Sequence, residues 1–404
     1  GSEMCIRDRL EPIVAWHHDI SQIRRDIHAH PELAFEEFRT ADVVAAKLEE
    51  WGIEIHRGLG GTGVVGIIRG DQPGERAVGL RADMDALPMQ EANTFDHASK
   101  HEGKMHACGH DGHTAMLLAA ARYLSQHRDF AGTVYVIFQP AEEGGGGAKR
   151  MIDDGLFTRF PMEAVFGMHN WPGMKPGQFG VTAGPIMASS NEFSIVVKGK
   201  GTHAGMPNLG IDPVMAAVQL AQSLQTIITR NRNPLDAAVL SITQIHAGSA
   251  DNVVPNHAEL RGTVRTFTLD VLDLIERRME EIARHTCAAM DCEVQFTFQR
   301  NYPPTINHPD EAAFCADVMR DIVGDDMVND HVQPTMGAED FAFMLQELPG
   351  AYVWIGNGTG DHRAAGHGLG PCMLHNGSYD FNDDLLPLGG TYWVQLALKR
   401  LAKA

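Results

Sequence analysis

Three histidines and a cysteine fall within eight residues, His106-Ala107-Cys108-Gly109-His110-Asp111-Gly112-His113, just before a helical run from Thr114. Cys108 and His110 stand two apart in a glycine-containing loop, so a thiolate and an imidazole can face one metal centre. The ordinary structural alternative is a helix entry with Asp111 at the positive N-terminal end and histidines facing solvent. A second signal is Gln139-Pro140-Ala141-Glu142-Glu143, directly after the strand-like run VYVIF and followed by four glycines at 144–147. Adjacent residues on extended backbone point to opposite sides, so one acid can bind metal while the other handles a proton. His169 follows Phe166-Gly167-Met168, and His375 stands in Leu374-His375-Asn376. Together Cys108, His110, Glu143, His169 and His375 offer more donors than one tetrahedral site with an open position needs. Two metals sharing one bridging ligand would give each three protein contacts and leave a shared water.

Other residues fall around this set. Asp85, in Asp83-Met84-Asp85, is a candidate acceptor for the second nitrogen of a ligating histidine. The zinc-deaminase pattern of H-x-E with P-C-x-x-C is absent. Gly58-Leu59-Gly60-Gly61-Thr62-Gly63 matches a dinucleotide-binding glycine pattern, but a strand-like run follows it instead of a helix. The helix N-terminus that would hold a pyrophosphate is missing, so the glycines predict a turn. Further along, His203 in Gly201-Thr202-His203-Ala204-Gly205, Asn252 before Val253-Val254-Pro255, and Arg261 and Arg265 could polarise a carbonyl and hold a carboxylate. Ordinary surface roles account for those four residues equally well.

The elements that must position these groups alternate in type. Residues 19–51 hold two helical patterns broken at His30-Pro31, and Gly52 ends the second. Strand-like runs at 63–69, 77–82, 133–139, 164–168 and 351–355 are interleaved with helical stretches such as 112–126, which predicts an α/β sheet. Between 184 and 301 the order becomes strand 192–198, helix 212–230, strands 237–246 and 258–267, helix 270–290 and strand 293–299. That β-α-β-β-α-β order is the ferredoxin-like arrangement, a self-contained domain inserted in the first. The expected division is 10–183 and 302–404 for the metal-binding catalytic domain and 184–301 for an inserted lid or subunit-contact domain. Repeats of 20 to 50 residues are not seen.

With 404 residues, the chain exceeds what one core usually organises. A formal charge of −19, from 33 Lys+Arg against 52 Asp+Glu, leaves no basic footprint for nucleic acid or anionic membranes. Apolar runs such as 116–124 are far short of the roughly 18 residues a membrane span needs. Six scattered cysteines (Cys5, Cys108, Cys287, Cys292, Cys315 and Cys372) and no secretory pattern at the start fit reduced thiols in a cytoplasm. Gly1-Ser2 reads as a cloning remnant, and residues up to about Arg9 carry no pattern.

These motifs resemble the M20 metallopeptidases, specifically the aminoacylase, hippurate hydrolase and indole-acetyl-amino-acid hydrolase branch. The likeness runs nearly end to end, through RRDIHAHPELAFEE, RADMDALP, MHACGHDGHTAMLL, PAEEGGGGAKRMI, GTHAGMPN, DNVVPNHAELRGTVRTF, MGAEDFAFML and LHNGSYDF. The resemblance implies a zinc-peptidase-like catalytic domain with an inserted ferredoxin-like lid and dimerisation domain. It implies Cys108, His110, Glu143, His169 and His375 as ligands of two divalent metals (zinc, manganese, cobalt or nickel) and Glu142 as general base. His203 and Asn252 would assist the substrate carbonyl across a dimer interface; Arg265, from its residue chemistry and not from the resemblance, is the expected substrate-binding arginine. The implied substrate is an N-acyl amino acid or a dipeptide-like molecule, and the implied assembly a homodimer or higher oligomer. Gly377 stands where the branch has proline, and Asn382-Asp383-Asp384 replaces a glutamate-containing stretch. The alternatives are a carboxypeptidase or dipeptidase on the same scaffold, and a metal-binding scaffold protein without turnover.

Overall fold

The first helices end where their sequence requires. The computed structural model describes residues 9–402; Cys5, Gly1-Ser2 and the last two residues lie outside it. Helix His17–Ala29 stops because His30 precedes proline and leaves helical geometry at φ −126°, ψ 62°. The next helix, Phe38–Glu50, is capped from upstream: Glu32 accepts from the Thr40 N–H and hydroxyl, each 2.7 Å, and from the Arg39 N–H at 2.9 Å. Those donors belong to the first turn, whose N–H groups have no partner inside the helix. Gly52, at φ +69°, closes its other end.

Two units make up the chain. One comprises the described residues up to Ile186, Ile306–Gln333 and those from Asp340 on; the other is Met187–Thr305 with Pro334–Glu339. The first contains an eight-stranded mixed sheet in the order Glu54–Leu59, Gly63–Arg69, Ala131–Gln139, Gln72–Asp83, Ala164–Pro172, Gly350–Gly358, Phe179–Gly180, Val328–Asn329. Its centre is parallel, from Ala131–Gln139 across to Gly350–Gly358. These strands read as nearly continuous apolar runs because both faces are covered. Val134, Val136 and Phe138 are fully buried, each contributing about 1.5–3 kcal/mol of apolar burial. The expected glycine-rich turn at 58–63 joins the antiparallel strands Glu54–Leu59 and Gly63–Arg69.

Helix His110–Gln126 runs through this unit buried along most of its length. Glycines of the C-terminal helix Leu386–Ala402 let the two helices approach closely: a Cβ on Gly389 would stand 2.0 Å from Met116 Sδ, and one on Gly390 3.0 Å from Ala119 Cβ. Among the described residues no helix is long and apolar enough to cross a membrane. The five described cysteines are unpaired and buried.

The second unit has the β-α-β-β-α-β order, with an antiparallel sheet ordered Ala238–Ala247, His257–Thr266, Ser190–Lys198, Glu293–Tyr302. Alternate residues Phe193, Ile195 and Val197 point into a core closed by Leu220 and Leu224 of helix Pro213–Thr226 and by Leu272, Ile275 and Met279 of helix Leu269–Ala288. Both helices start on side-chain caps, Asp212 accepting from the Val214 N–H at 2.8 Å and Thr268 from the Val271 N–H at 3.3 Å; such a cap contributes about 1 kcal/mol. Pro334–Glu339 joins this unit through the Ala188 N–H, which lies 2.9 Å from the Gly337 carbonyl.

Candidate metal centre

Neighbouring parallel strands bring the chemistry together at their carboxyl ends. Asp83 ends one strand and lies in register with Gln139, the last residue of the next; His169 lies on the strand at the other side. Crevices at such strand ends are where ligands bind in open α/β sheets. Past Gln139 the chain turns through Ala141, at φ +53°, and presents Glu142 and Glu143. Opposite them, Cys108 and left-handed Gly109 lead into helix His110–Gln126. Only glycine fits at 109: a Cβ there would stand 2.1 Å from Asn170 Nδ2 and 2.4 Å from Tyr379 Oη.

The five expected donors of the first unit converge. Cys108, His110 and His169 place one ligand atom each within 4.8 Å of one another, as do Cys108, Glu143 and His375. A third group joins His110, Glu142 and Glu143. Cys108, His110 and Glu143 each belong to two of these sets, so the three groups form one continuous cluster. Cys108 Sγ is 3.3 Å from His169 Nε2, and His375 Nε2 is 3.3 Å from Glu143 Oε1. His110 Nε2 stands 3.6 Å from Asp83 Oδ2 and 3.9 Å from Glu142 Oε2 and from Glu143 Oε1. Atoms sharing an ion at about 2.0–2.3 Å each are spaced on this scale.

The hydrogen bonds behind these atoms set their roles. His110 Nδ1 meets Asp85 Oδ1 at 3.2 Å, the contact expected of Asp85. Asp85 also accepts from the Glu142 N–H at 3.0 Å and the Glu143 N–H at 2.9 Å, so one carboxylate orients a histidine and both acids. His169 Nδ1 donates to the Asn170 carbonyl at 2.6 Å, which turns the lone pair of Nε2 toward Cys108. His113 is different. It donates from Nδ1 to Asp83 at 2.7 Å and accepts at Nε2 from the Asn170 N–H at 2.9 Å, so both nitrogens are committed within the protein. Asn170 in turn donates to the Cys108 carbonyl and accepts from the Tyr379 hydroxyl, both at 2.7 Å. Asp83, held by Arg81 at 2.9 Å, together with His113, Asn170 and Tyr379 forms a support that motif reading had not singled out. The available signal was alternation, which puts Arg81 and Asp83 on one face of their strand.

The electrostatics fit a cation. Burial alone would lower the His110 pKa, but the charges of Asp83, Asp85 and Glu143 raise it to about 10. Burial and the facing carboxylates Glu143, Glu142 and Asp83 hold the Cys108 thiol well above its usual value. Glu143 is lowered despite burial, through His375 and His110. His169 is pushed well below its usual value by burial and by His113. Among the described residues the buried atom His110 Nε2 has no hydrogen-bond partner, and Glu143 Oε1 has only its ion-pair contacts with His375 and His110. Buried polar atoms left bare are costly, and here they face a common acidic space. A divalent cation would satisfy these groups and would favour the thiolate form of Cys108.

The remaining expected residues lie in the second unit. His203 and Val253 are register partners on short paired strands, and the Ala204 N–H donates to the Asn252 carbonyl at 2.9 Å. His203 and Asn252 line one open cavity of about 850 Å³. Arg265 and Arg261 line a different one, of about 500 Å³, on the sheet.

Residues 79–398 match the family described as Peptidase family M20/M25/M40. The chain is 40% identical over 383 residues to hippurate hydrolase of Campylobacter jejuni subsp. jejuni, covering 95% of this chain and 97% of that protein. It is 40% identical over 402 residues to thermostable carboxypeptidase 2 of Saccharolobus solfataricus, covering 98% of each. Its fold matches a dinuclear metal-binding M20-family peptidase of Bacillus subtilis with a TM-score of 0.83 and 35% identity, over 97% of this chain and 99% of that one.

Proposed function

The chain belongs to peptidase family M20/M25/M40, and on that premise we propose that it is a metal-dependent amidohydrolase that splits N-acyl amino acids into a free amino acid and a carboxylic acid. The observation that carries this is the convergence of Cys108, His110, Glu143, His169 and His375 beside Glu142. We assign those five residues to two divalent ions (zinc, manganese, cobalt or nickel, all of which thiolate, imidazole and carboxylate would accommodate), which they would hold between them. Such ions, when bound, supply Lewis acidity toward the amide carbonyl and toward water.

The protein's own groups supply the rest. Glu142 is the general base: its carboxylate takes a proton from the attacking water and returns it to the departing amine nitrogen. Asp85 keeps that acid and its neighbour in place through their backbone amides. His203 and Asn252 are assigned to the substrate carbonyl and Arg265 to the substrate carboxylate. The segment 184–301 is assigned as lid and dimerisation domain, with 10–183 and 302–404 as catalytic domain, in a homodimeric cytoplasmic enzyme. Unpaired cysteines and the ferredoxin-like order support that assignment.

The likeness to thermostable carboxypeptidase 2 favours a second reading, in which the acyl side must itself be an amino acid. A panel of acetyl- and benzoyl-amino acids against dipeptides and blocked peptides, run on metal-loaded and metal-stripped protein, separates the two. Turnover of N-benzoylglycine and acetyl-amino acids that disappears with the metal is expected. Turnover of peptides alone assigns the enzyme to the second reading, and turnover without metal removes the mechanism.

A further inference from the structure

A single buried oxygen holds two strained residues next to the site. Among the described residues, four that are not glycine have positive φ, and two of these are Phe35 at +64° and Ala141 at +53°. A side chain with a Cβ reaches that region only where its surroundings force it. In both cases the force comes from Glu37. Its Oε1 accepts from the Phe35 N–H at 3.0 Å and from the Ala141 N–H at 2.8 Å, while its Oε2 accepts from the Thr62 hydroxyl at 2.6 Å. The side chain is fully buried.

Ala141 directly precedes the two acids. Glu37 fixes the amide of 141, and Asp85 fixes those of 142 and 143, so two carboxylates hold three consecutive amides of the acid turn. The turn has little freedom elsewhere. The Gly147 N–H closes it on the Ala141 carbonyl at 3.0 Å, and a Cβ on Gly145 would stand 2.7 Å from Ala141 Cβ and 3.0 Å from the Phe35 ring.

We propose that Glu37 is a positioning residue for the acid turn, holding Ala141 in its left-handed conformation so that Glu142 and Glu143 face the metal centre. This rests on the roles given above to Glu142 and Glu143. What Glu37 supplies is an acceptor in a fixed place, because its three partners are all neutral donors. Burial pushes its carboxyl up to about 7, against the lowering pull of the Thr62 hydroxyl, so the site does not call for a charge. A glutamine has the same reach and keeps an acceptor oxygen. Glycine at 141 would adopt the same φ without restraint.

The test compares Glu37→Ala, Glu37→Gln and Glu37→Ala/Ala141→Gly with the wild type. Two measurements are made: cobalt(II) affinity by calorimetric titration, and amide hydrogen exchange of the segment 141–147 in metal-free protein. Glu37→Ala should weaken cobalt binding about 10-fold or more and speed exchange in that segment, because an ångström of misplacement is felt on this scale. Glu37→Gln should stay within about threefold of wild type, and Ala141→Gly should recover most of what Glu37→Ala loses. The exchange measurement needs neither substrate nor metal, so it decides the role of Glu37 even if the proposed activity fails. Three results overturn the proposal: a folded Glu37→Ala protein with wild-type affinity and exchange, equal losses in Glu37→Gln and Glu37→Ala, or no recovery in the double variant. Failure of Glu37→Ala to fold with and without Ala141→Gly makes the residue merely structural and also overturns it.

Discussion

Replacing Asp85 with asparagine should damage the metal centre without touching a metal ligand. The carboxylate takes three contacts: Oδ1 faces His110 Nδ1 at 3.2 Å and the Glu142 N–H at 3.0 Å, and Oδ2 takes the Glu143 N–H at 2.9 Å. Asparagine has one oxygen and one NH2. With its oxygen at the Oδ1 place, the NH2 opposes the Glu143 N–H and leaves a donor facing a donor; the flipped amide strands two donors instead and is worse. One unsatisfied buried donor costs about 1–3 kcal/mol. His110 then keeps an acceptor but loses the carboxylate charge behind it, and mutation of such an outer partner of a ligating histidine typically costs about 10- to 100-fold in metal affinity. Competition titration of zinc or cobalt against a chromophoric chelator measures the second figure, and urea unfolding in the presence of chelator measures the first. An Asp85→Asn protein with affinity within about threefold of wild type and unchanged stability would show that Asp85 does not organise the site.

Three further outcomes are expected. Cys108→Ser should reduce metal content sharply, whereas Cys315→Ser, buried in helix Pro309–Val323, should leave it unchanged; equal metal contents by elemental analysis would remove Cys108 from the ligand set. His203→Ala should lower kcat by about 10²- to 10³-fold, the scale of a lost oxyanion donor, with metal content intact; a near-normal kcat returns His203 to an ordinary surface role. His28 sits between Asp111 at 2.9 Å and Glu91 at 3.0 Å, and although burial opposes it, those carboxylates raise its pKa from 6.5 to about 10. The raised pKa means its stabilisation is complete below about pH 6.5 and lost as pH climbs through about 10. In metal-loaded protein, stability should therefore fall by up to about 1.4 kcal/mol per pH unit between pH 7 and 9. His28→Gln should flatten that slope in urea titrations, and an unchanged slope assigns the proton elsewhere.

The donors that the structure brings together were legible because each sits in a compact local motif. Cys108 and His110 stand at a helix entry, and Glu142 and Glu143 follow an apolar strand, so type and spacing alone mark them. The second unit was legible for a related reason: period-two strands such as Ser190–Lys198 alternate with the amphipathic helix Leu269–Ala288. What escaped notice depends on contacts distant in sequence. Tyr379 supports Asn170 from 209 residues away, and Glu37 reaches Ala141 across 104. No local pattern announces either pairing. His113 shows the opposite problem, since its place in the motif suggests a ligand while Asp83 and Asn170 occupy both its nitrogens. Strands as short as Phe179–Gly180 and Val328–Asn329 have too few residues to show a period.

The central claim is that Glu142 moves the proton while its neighbour Glu143 holds metal, and metal content per chain measured on Glu142→Gln and Glu143→Gln tests it most directly. Glu142→Gln should keep close to two divalent ions while kcat on an N-acyl amino acid falls by at least about 10²-fold, the usual general-base contribution. Glu143→Gln should lose metal and recover part of its rate in excess metal. A Glu142→Gln protein that loses its metal beside a Glu143→Gln protein that keeps it would contradict the account.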